Sequence, residues 1–145
     1  MYSHILIPTD GSGLSEIAVK QGVAFAKAIG ARVTGITVSI PFHIFALDPV
    51  MLSDTAAQYE KECAERAEKY LGFVQDAASA AGVPCEKLHV LAEHPYDAII
   101  NAANDRGCDL IFMASHGRRG MAALVLGSET TKVLTHSKIP VLVCR

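Results

Sequence analysis

Most of the patterns that announce a function at first sight are missing from this chain. No apolar run approaches the ~18 residues that a membrane-spanning helix needs, so no membrane association is expected. The segment Met1 to His4 carries no basic stretch and no small-residue cleavage site. No export signal is therefore expected, and the expected compartment is the cytoplasm. A surplus of one charge is also lacking. The formal net charge is -2, which argues against nucleic acid as the main partner. Cys63, Cys85, Cys108 and Cys144 are scattered without a C-x-x-C pair, so four free thiols are expected rather than a disulfide framework. His4, His43, His89, His94, His116 and His136 show neither H-x-x-x-H nor H-E-x-x-H spacing, and no metal site is expected. There is no G-x-x-x-x-G-K-[ST], which excludes a Walker-type NTPase, and no G-x-S-x-G nucleophile elbow.

What is present is a repeated joint. Ala28-Ile-Gly30-Ala-Arg-Val33, Ala80-Ala-Gly82-Val-Pro-Cys85 and Asp105-Arg-Gly107-Cys-Asp-Leu110 each read as the end of a helix, a Gly, and the start of a strand. Gly just past a helix end closes the last turn in the left-handed conformation. Three such joints imply βαβ units and a parallel sheet in an α/β domain. The chain of 145 residues, half of them apolar, is the size of one such domain. The pattern predicts strands over roughly 4–8, 32–38, 85–91, 109–114 and 140–144, and helices over roughly 13–29, 53–81, 95–106 and 128–137. Ile5-Leu-Ile7, Leu110-Ile-Phe-Met113 and Val141-Leu-Val143 are continuous apolar runs, as strands covered on both faces require.

The helix over 53–81 has the clearest stripe: Tyr59, Cys63, Ala67, Tyr70, Val74, Ala77 and Ala81. Glu60, Lys61, Glu62, Glu65, Arg66, Glu68 and Lys69 fall mostly off it and read as a solvated face. Pro95 suits the first turn of the next helix, after His94. Residues Ile40 to Leu52 read as a loop with Phe42, Ile44, Phe45, Leu47 and Val50, apolar enough to cover a partner, a ligand or the edge of the core.

In open parallel sheets, ligands bind beyond the strand C-termini where the winding reverses. Pro8-Thr9-Asp10, Val38 and Met113 to Gly117 lie at such ends. The stretch from Met113 to Thr131 follows a buried strand, is punctuated by Gly117, Gly120 and Gly127, and ends at a helix start. Small residues admit close backbone approach, and a helix N-terminus adds donors and a positive dipole end, so this loop suits an anion. Ser128 caps the helix or turns its hydroxyl to a phosphate. Arg118 and Arg119 clamp a polyphosphate or face solvent, with Arg118 the better candidate beside Gly117. His116 donates to phosphate or has no role. Asp10 accepts from ribose hydroxyls or caps the first helix. Gly11-x-Gly13 lacks the third glycine of a dinucleotide site, since Glu16 stands there, and no acid ends the second strand. Nothing orders Asp10, His116 and Ser128 as a catalytic triad.

Taken together these residues resemble the universal stress protein family over essentially the whole chain. The resemblance rests on Ile5-Leu-Ile-Pro-Thr-Asp10, on Ile139-Pro-Val-Leu-Val-Cys144, and on the family's ATP-binding pattern G-x-x-G, nine residues, G-[ST]. Here that pattern reads Ala114-Ser-His-Gly117, nine residues, Gly127-Ser128, with Ala114 at the first glycine position. Ala keeps its N–H, so a backbone hydrogen bond survives at negative φ; a positive φ would cost about 1 kcal/mol or more.

The resemblance implies a three-layer α/β/α open sheet of five parallel strands in the order 3-2-1-4-5, of the adenine nucleotide alpha hydrolase-like kind. It implies ATP, with Mg²⁺, as cofactor. Asp10 would meet the ribose or adenine and Val38 the adenine. Met113 and Ala114 would lie near the ribose. Gly117, Gly127, Ser128 and Glu129 would surround the phosphates, with Pro8, Thr9 and Ser12 of second rank. It further implies a homodimer through the last strands, for which the apolar Val141 to Cys144 offers an edge. Three functions remain open at this point. One is a nucleotide-dependent signalling module with no catalytic residue of its own. A second is a slow ATPase or phosphotransferase using Asp10 and Ser128. The third is a nucleotide-independent structural or chaperone-like dimer that uses the apolar stretch from Phe42 to Leu52.

Overall fold

Strand β1 (His4–Pro8) explains the layering by itself. Ile5, Leu6 and Ile7 have no solvent exposure, so both faces of the strand are covered. Ile5 and Ile7 belong to one apolar cluster and Leu6 to another, because successive side chains leave a strand on opposite faces. The computed structural model describes residues 1–45, 53–117 and 125–145. After β1 come α1 (Gly13–Ile29), β2 (Arg32–Ser39), α2 (Phe42–Phe45), α3 (Ser53–Ala81), β3 (Cys85–Leu91), α4 (Pro95–Asp105), β4 (Leu110–Ala114), α5 (Ser128–His136) and β5 (Val141–Cys144). The five strands pair in parallel in the order β3-β2-β1-β4-β5. Helices α1 and α3 bring Val19, Val23 and Val74 onto the face of Ile5, Ile7 and Phe112. On the other face α4 and α5 bring Ile99, Ala103 and Val133 onto Leu6, Ile36 and Ile111. Each of these side chains larger than alanine contributes about 1.5–3 kcal/mol once buried. The architecture is the three-layer α/β/α sheet expected.

The helix-to-strand joints follow the expected chemistry. Gly30 sits at φ 72°, and its N–H reaches the carbonyls of Ala26 and Lys27. The same joint recurs at Gly82 and Gly107. Element boundaries differ from expectation by one residue at most, at one end of β2, β4, β5, α4 and α5. Pro140 precedes β5 but still offers its carbonyl to Ile111 N–H at 2.9 Å. On α3, Cys63, Ala67 and Val74 are buried as the stripe required, joined by Leu71 and Ala78. Its charged residues from Glu60 to Lys69 are exposed. Glu68 pairs with Lys87 at 3.2 Å, an exposed contact worth about 0–1 kcal/mol.

The expectation of a plain loop after Ile40 needs correction, because Phe42–Phe45 form one helical turn. Four residues are too few to show a helical period. The Phe42 ring lies 5.4 Å from that of Tyr59, whose hydroxyl donates to the Ile40 carbonyl at 2.7 Å. This start of the apolar stretch therefore covers α3. Leu47 and Val50 lie outside the described residues.

All four cysteines are free thiols, as expected. Burial pushes the Cys108 thiol up to about 11.

A brace ties the start of β1 to the start of β4. The Asp109 carboxylate accepts from Ser3 N–H at 2.9 Å, Ser3 Oγ at 3.0 Å and His4 N–H at 3.0 Å. Burial opposes its ionisation, yet these hydrogen bonds outweigh burial and hold its carboxyl below the usual value of 3.8. A carboxyl depressed on folding stabilises the fold above its unfolded pKa and loses that contribution as pH falls through the folded one. Melting curves of wild type and Asp109→Asn should therefore differ most near neutrality and converge as pH drops below 3.8. A gap that stays constant down to strongly acidic pH contradicts this role.

Candidate functional site

The winding of the sheet reverses between β1 and β4, and the chain ends of both strands open into one cleft. At β1 the ladder continues one residue, with Thr9 N–H donating to the Ile36 carbonyl at 2.9 Å. The chain then turns sharply. Asp10 Oδ1 accepts from Ser12 N–H at 2.9 Å, and Thr9 Oγ1 accepts from Gly11 N–H at 3.2 Å. Gly11 adopts φ 74° directly against the Tyr70 ring, so a side chain there meets both strain and collision. Ser12 Oγ accepts from Ser15 N–H at 3.2 Å and caps α1. The cap of α1 is thus Ser12, and Asp10 is left to form the turn and line the cleft.

At β4 the strand end is tied to α5. Ser115 N–H donates to the Cys144 carbonyl at 2.7 Å, and the Ser115 carbonyl accepts from Gly127 N–H at 2.8 Å. The buried Thr130 hydroxyl donates to the Ala114 carbonyl at 2.9 Å. These bonds aim the N-terminus of α5 into the cleft. The first bond of its ladder runs from Thr131 N–H to the Gly127 carbonyl at 3.0 Å. The N–H groups of Ser128, Glu129 and Thr130 precede that ladder and form a cluster of donors at the positive end of the helix.

Gly127 is the N-cap, at φ −61° and ψ 155°. Of the two roles open to Ser128, capping is therefore excluded: Ser128 is the first helical residue, one position too late. Any residue adopts the Gly127 conformation, so the demand for glycine is one of space. A Cβ there would lie 3.2 Å from the Ser115 carbonyl oxygen and 3.3 Å from His116 Cα. Gly117 answers the same demand, since its Cβ would overlap Asp10 Oδ2. Ala114 ends β4 with negative φ, because no described residue other than glycine has a positive one. Its departure from the glycine pattern therefore carries no backbone strain, and its N–H is retained.

The cleft has a volume of about 540 Å³, within the roughly 300–1,000 Å³ common for small-molecule sites. Ile36, Val38, Ile40, Ile99 and Met113 give it an apolar side, and the α5 N–H groups give it a donor-rich end. Of the residues expected at the site, Pro8, Thr9, Asp10, Val38, Met113 and Ala114 line it. So do His116, Gly117, Gly127, Ser128 and Glu129. Ser12 does not, being spent on the α1 cap, and Arg118 lies outside the described residues. The Thr9 hydroxyl contacts Ser15 Oγ at 3.1 Å, and His116 Nδ1 contacts Ser115 Oγ at 3.0 Å. The Glu129 side chain has a further role. Its Oε2 accepts from Tyr96 N–H at 2.8 Å, supplying the side-chain cap that His94 does not give α4.

Sequence reasoning missed Glu93, His94, Pro95, Thr130 and Lys132 on the cleft wall. The first two come from the β3–α4 connection and Pro95 opens α4, and no motif links them to the loop after β4. Lys132 was reachable, since it stands four residues after Ser128 and shares its helix face.

Comparison with known proteins was consistent along the full length. The family model described as the universal stress protein family matches residues 1–145. A curated relative from Thermus aquaticus, the universal stress protein in the QAH/OAS sulfhydrylase 3' region, is 32% identical over 145 residues, covering 100% of both chains. Universal stress protein MJ0577 of Methanocaldococcus jannaschii is 30% identical over 156 residues, covering 100% of this chain and 96% of its own. A solved structure of MJ0577 superposes with a TM-score of 0.83 at 29% identity, covering 99% of this chain and 95% of that one. A universal stress protein solved in complex with cAMP superposes with a TM-score of 0.70 at 27% identity, covering 99% and 97%.

Proposed function

The chain belongs to the universal stress protein family, and from that premise we propose that its cleft binds ATP and that the chain acts as a nucleotide-dependent stress-response module. The observation that carries this reading is the N-terminus of α5, whose N-cap is a glycine packed against the Ser115 carbonyl and His116. That packing leaves room for phosphate oxygens beside the N–H groups of Ser128 and Glu129. The apolar side at Val38 and Ile40 suits a planar base, and Asp10 suits ribose hydroxyls as an acceptor. A related structure that holds cAMP supports an adenine nucleotide as the class of ligand. Mg²⁺ would enter with the polyphosphate. Its chemistry there is to offset phosphate charge. No general base is assigned, and binding rather than turnover is the function proposed. The test is competition: ATP should displace a fluorescent adenine nucleotide from the protein, and GTP should do so far less well. Equal displacement by both contradicts the adenine reading.

We also propose that the chain dimerises through β5, an edge strand of the sheet. Pro140 and Cys144 point their carbonyls at β4, so by alternation the N–H groups of Val141 and Val143 face away from it. A row of outward donors and acceptors on an apolar strand suits a second copy of itself. Val143→Pro removes one outward donor without touching the β4–β5 ladder. Light scattering should report a monomer for this variant. A dimer of unchanged mass refutes the interface.

A further inference from the structure

We propose that Lys132 is the residue by which this cleft distinguishes a nucleoside triphosphate from a monophosphate, an inference that rests on the nucleotide reading of the cleft. Lys132 lies one helical turn beyond Ser128 on α5, about 6 Å along the axis and on the same face. It lines the cleft together with Gly127 and Ser128. Among the described residues of the cleft wall it is the one lysine or arginine, and it shares that wall with three carboxylates, those of Asp10, Glu93 and Glu129.

Its present partners hold it loosely. The ammonium lies 3.5 Å from Glu129 Oε1 and 5.6 Å from the centre of the Tyr96 ring. The two paired side chains are 48% and 38% exposed, so this ion pair contributes little and exchanges readily. Glu129 stays in place when Lys132 leaves, because its other oxygen is bonded to Tyr96 N–H at 2.8 Å.

A single phosphate is served by the N–H groups of the first turn of α5. Those donors are neutral dipoles, and each further phosphate adds negative charge that they do not offset. That charge accumulates in a cleft already holding three carboxylates. Lys132 exchanges Glu129 for the terminal phosphates and adds its charge to that of Mg²⁺. A nucleoside monophosphate has no group to draw Lys132 away and gains nothing from it.

The test is calorimetric titration of ATP and AMP into wild type, Lys132→Met and Lys132→Arg. Met keeps the length of the stem and drops the charge. The expected result is an about tenfold loss of ATP affinity in Lys132→Met with AMP affinity unchanged. Lys132→Arg should retain the preference, and the salt dependence of ATP binding should flatten in Lys132→Met. Lys132→Gln serves the same purpose should the Met variant fail to fold. Equal losses for ATP and AMP, or no loss for either, overturn the role of Lys132 while leaving the cleft a nucleotide site. Failure of wild type to bind either nucleotide overturns both readings.

Discussion

Gly127→Asp should lose ATP binding by at least about 100-fold, equivalent to roughly 3 kcal/mol, while the protein remains folded. Two effects act together at this position. The new Cβ would stand 3.2 Å from the Ser115 carbonyl oxygen and narrow the mouth of the cleft. The carboxylate beyond it is more damaging, because an Asp at the N-cap turns its oxygen onto the N–H of the second or third helical residue. Here those residues are Glu129 and Thr130, the donors that the phosphates require. The side chain also places a negative charge where the ligand brings its own. The same bond that excludes phosphate stabilises α5, since Asp is among the favoured N-caps. The φ of −61° and ψ of 155° at Gly127 are open to Asp without strain. The melting temperature should therefore stay within a few degrees of wild type while binding is lost. Gly127→Ala separates the two effects, because it adds the Cβ without the charge and should cost far less affinity. Titration of the three proteins with ATP, alongside melting curves, checks both parts. Wild-type affinity in Gly127→Asp contradicts the placement of phosphate at α5.

Gly35→Val should be the most destabilising of the substitutions considered, by about 2–3 kcal/mol. Gly35 lies in the middle of β2, where Val74 of α3 packs onto the strand. A Cβ there would lie 2.9 Å from Val74 Cγ1 and 3.2 Å from Val74 Cβ, and Val74 is itself fully buried. The interior is close-packed, so α3 must shift or β2 must bend to admit the new methyl groups. For a chain of this size the loss corresponds to a fall of about 5–10 °C in melting temperature. Val74→Ala alone should cost about 2 kcal/mol through the space it leaves. The two changes are complementary, one adding volume where the other removes it. In the double variant the total loss should be smaller than the sum by about 1 kcal/mol or more. Strict additivity would show that Gly35 and Val74 do not limit how closely α3 approaches β2.

Much of this fold was legible because its signals are local. The joints at Gly30, Gly82 and Gly107 each need a left-handed residue within one turn of a helix end, and the glycines mark them. The buried strands declare themselves as apolar runs because helices cover both faces. What escaped is set by contacts between distant segments. The turn at Phe42–Phe45 is too short to show a period, and the Tyr59 ring 5.4 Å from that of Phe42 belongs to the next helix. Glu129 reads as a phosphate-loop residue, and its bond to Tyr96, 33 residues away, depends on α4 and α5 lying side by side. Ser128 looked like a cap because Ser commonly serves as one, yet the chain enters α5 one residue earlier, at Gly127. The motif glycines read as admitting close approach of a ligand. Their reason, space against Asp10 and against the Ser115–His116 backbone, needs the folded chain to be seen.

The most direct test of the central claim is calorimetric titration of ATP with Mg²⁺ into the purified wild-type protein, after any nucleotide carried through purification has been removed. Saturable binding at one site per chain is expected, with a melting temperature that rises as ATP is added. Absence of both heat and thermal shift at millimolar ATP contradicts the claim. In that case the α5 N-terminus is not a nucleotide site.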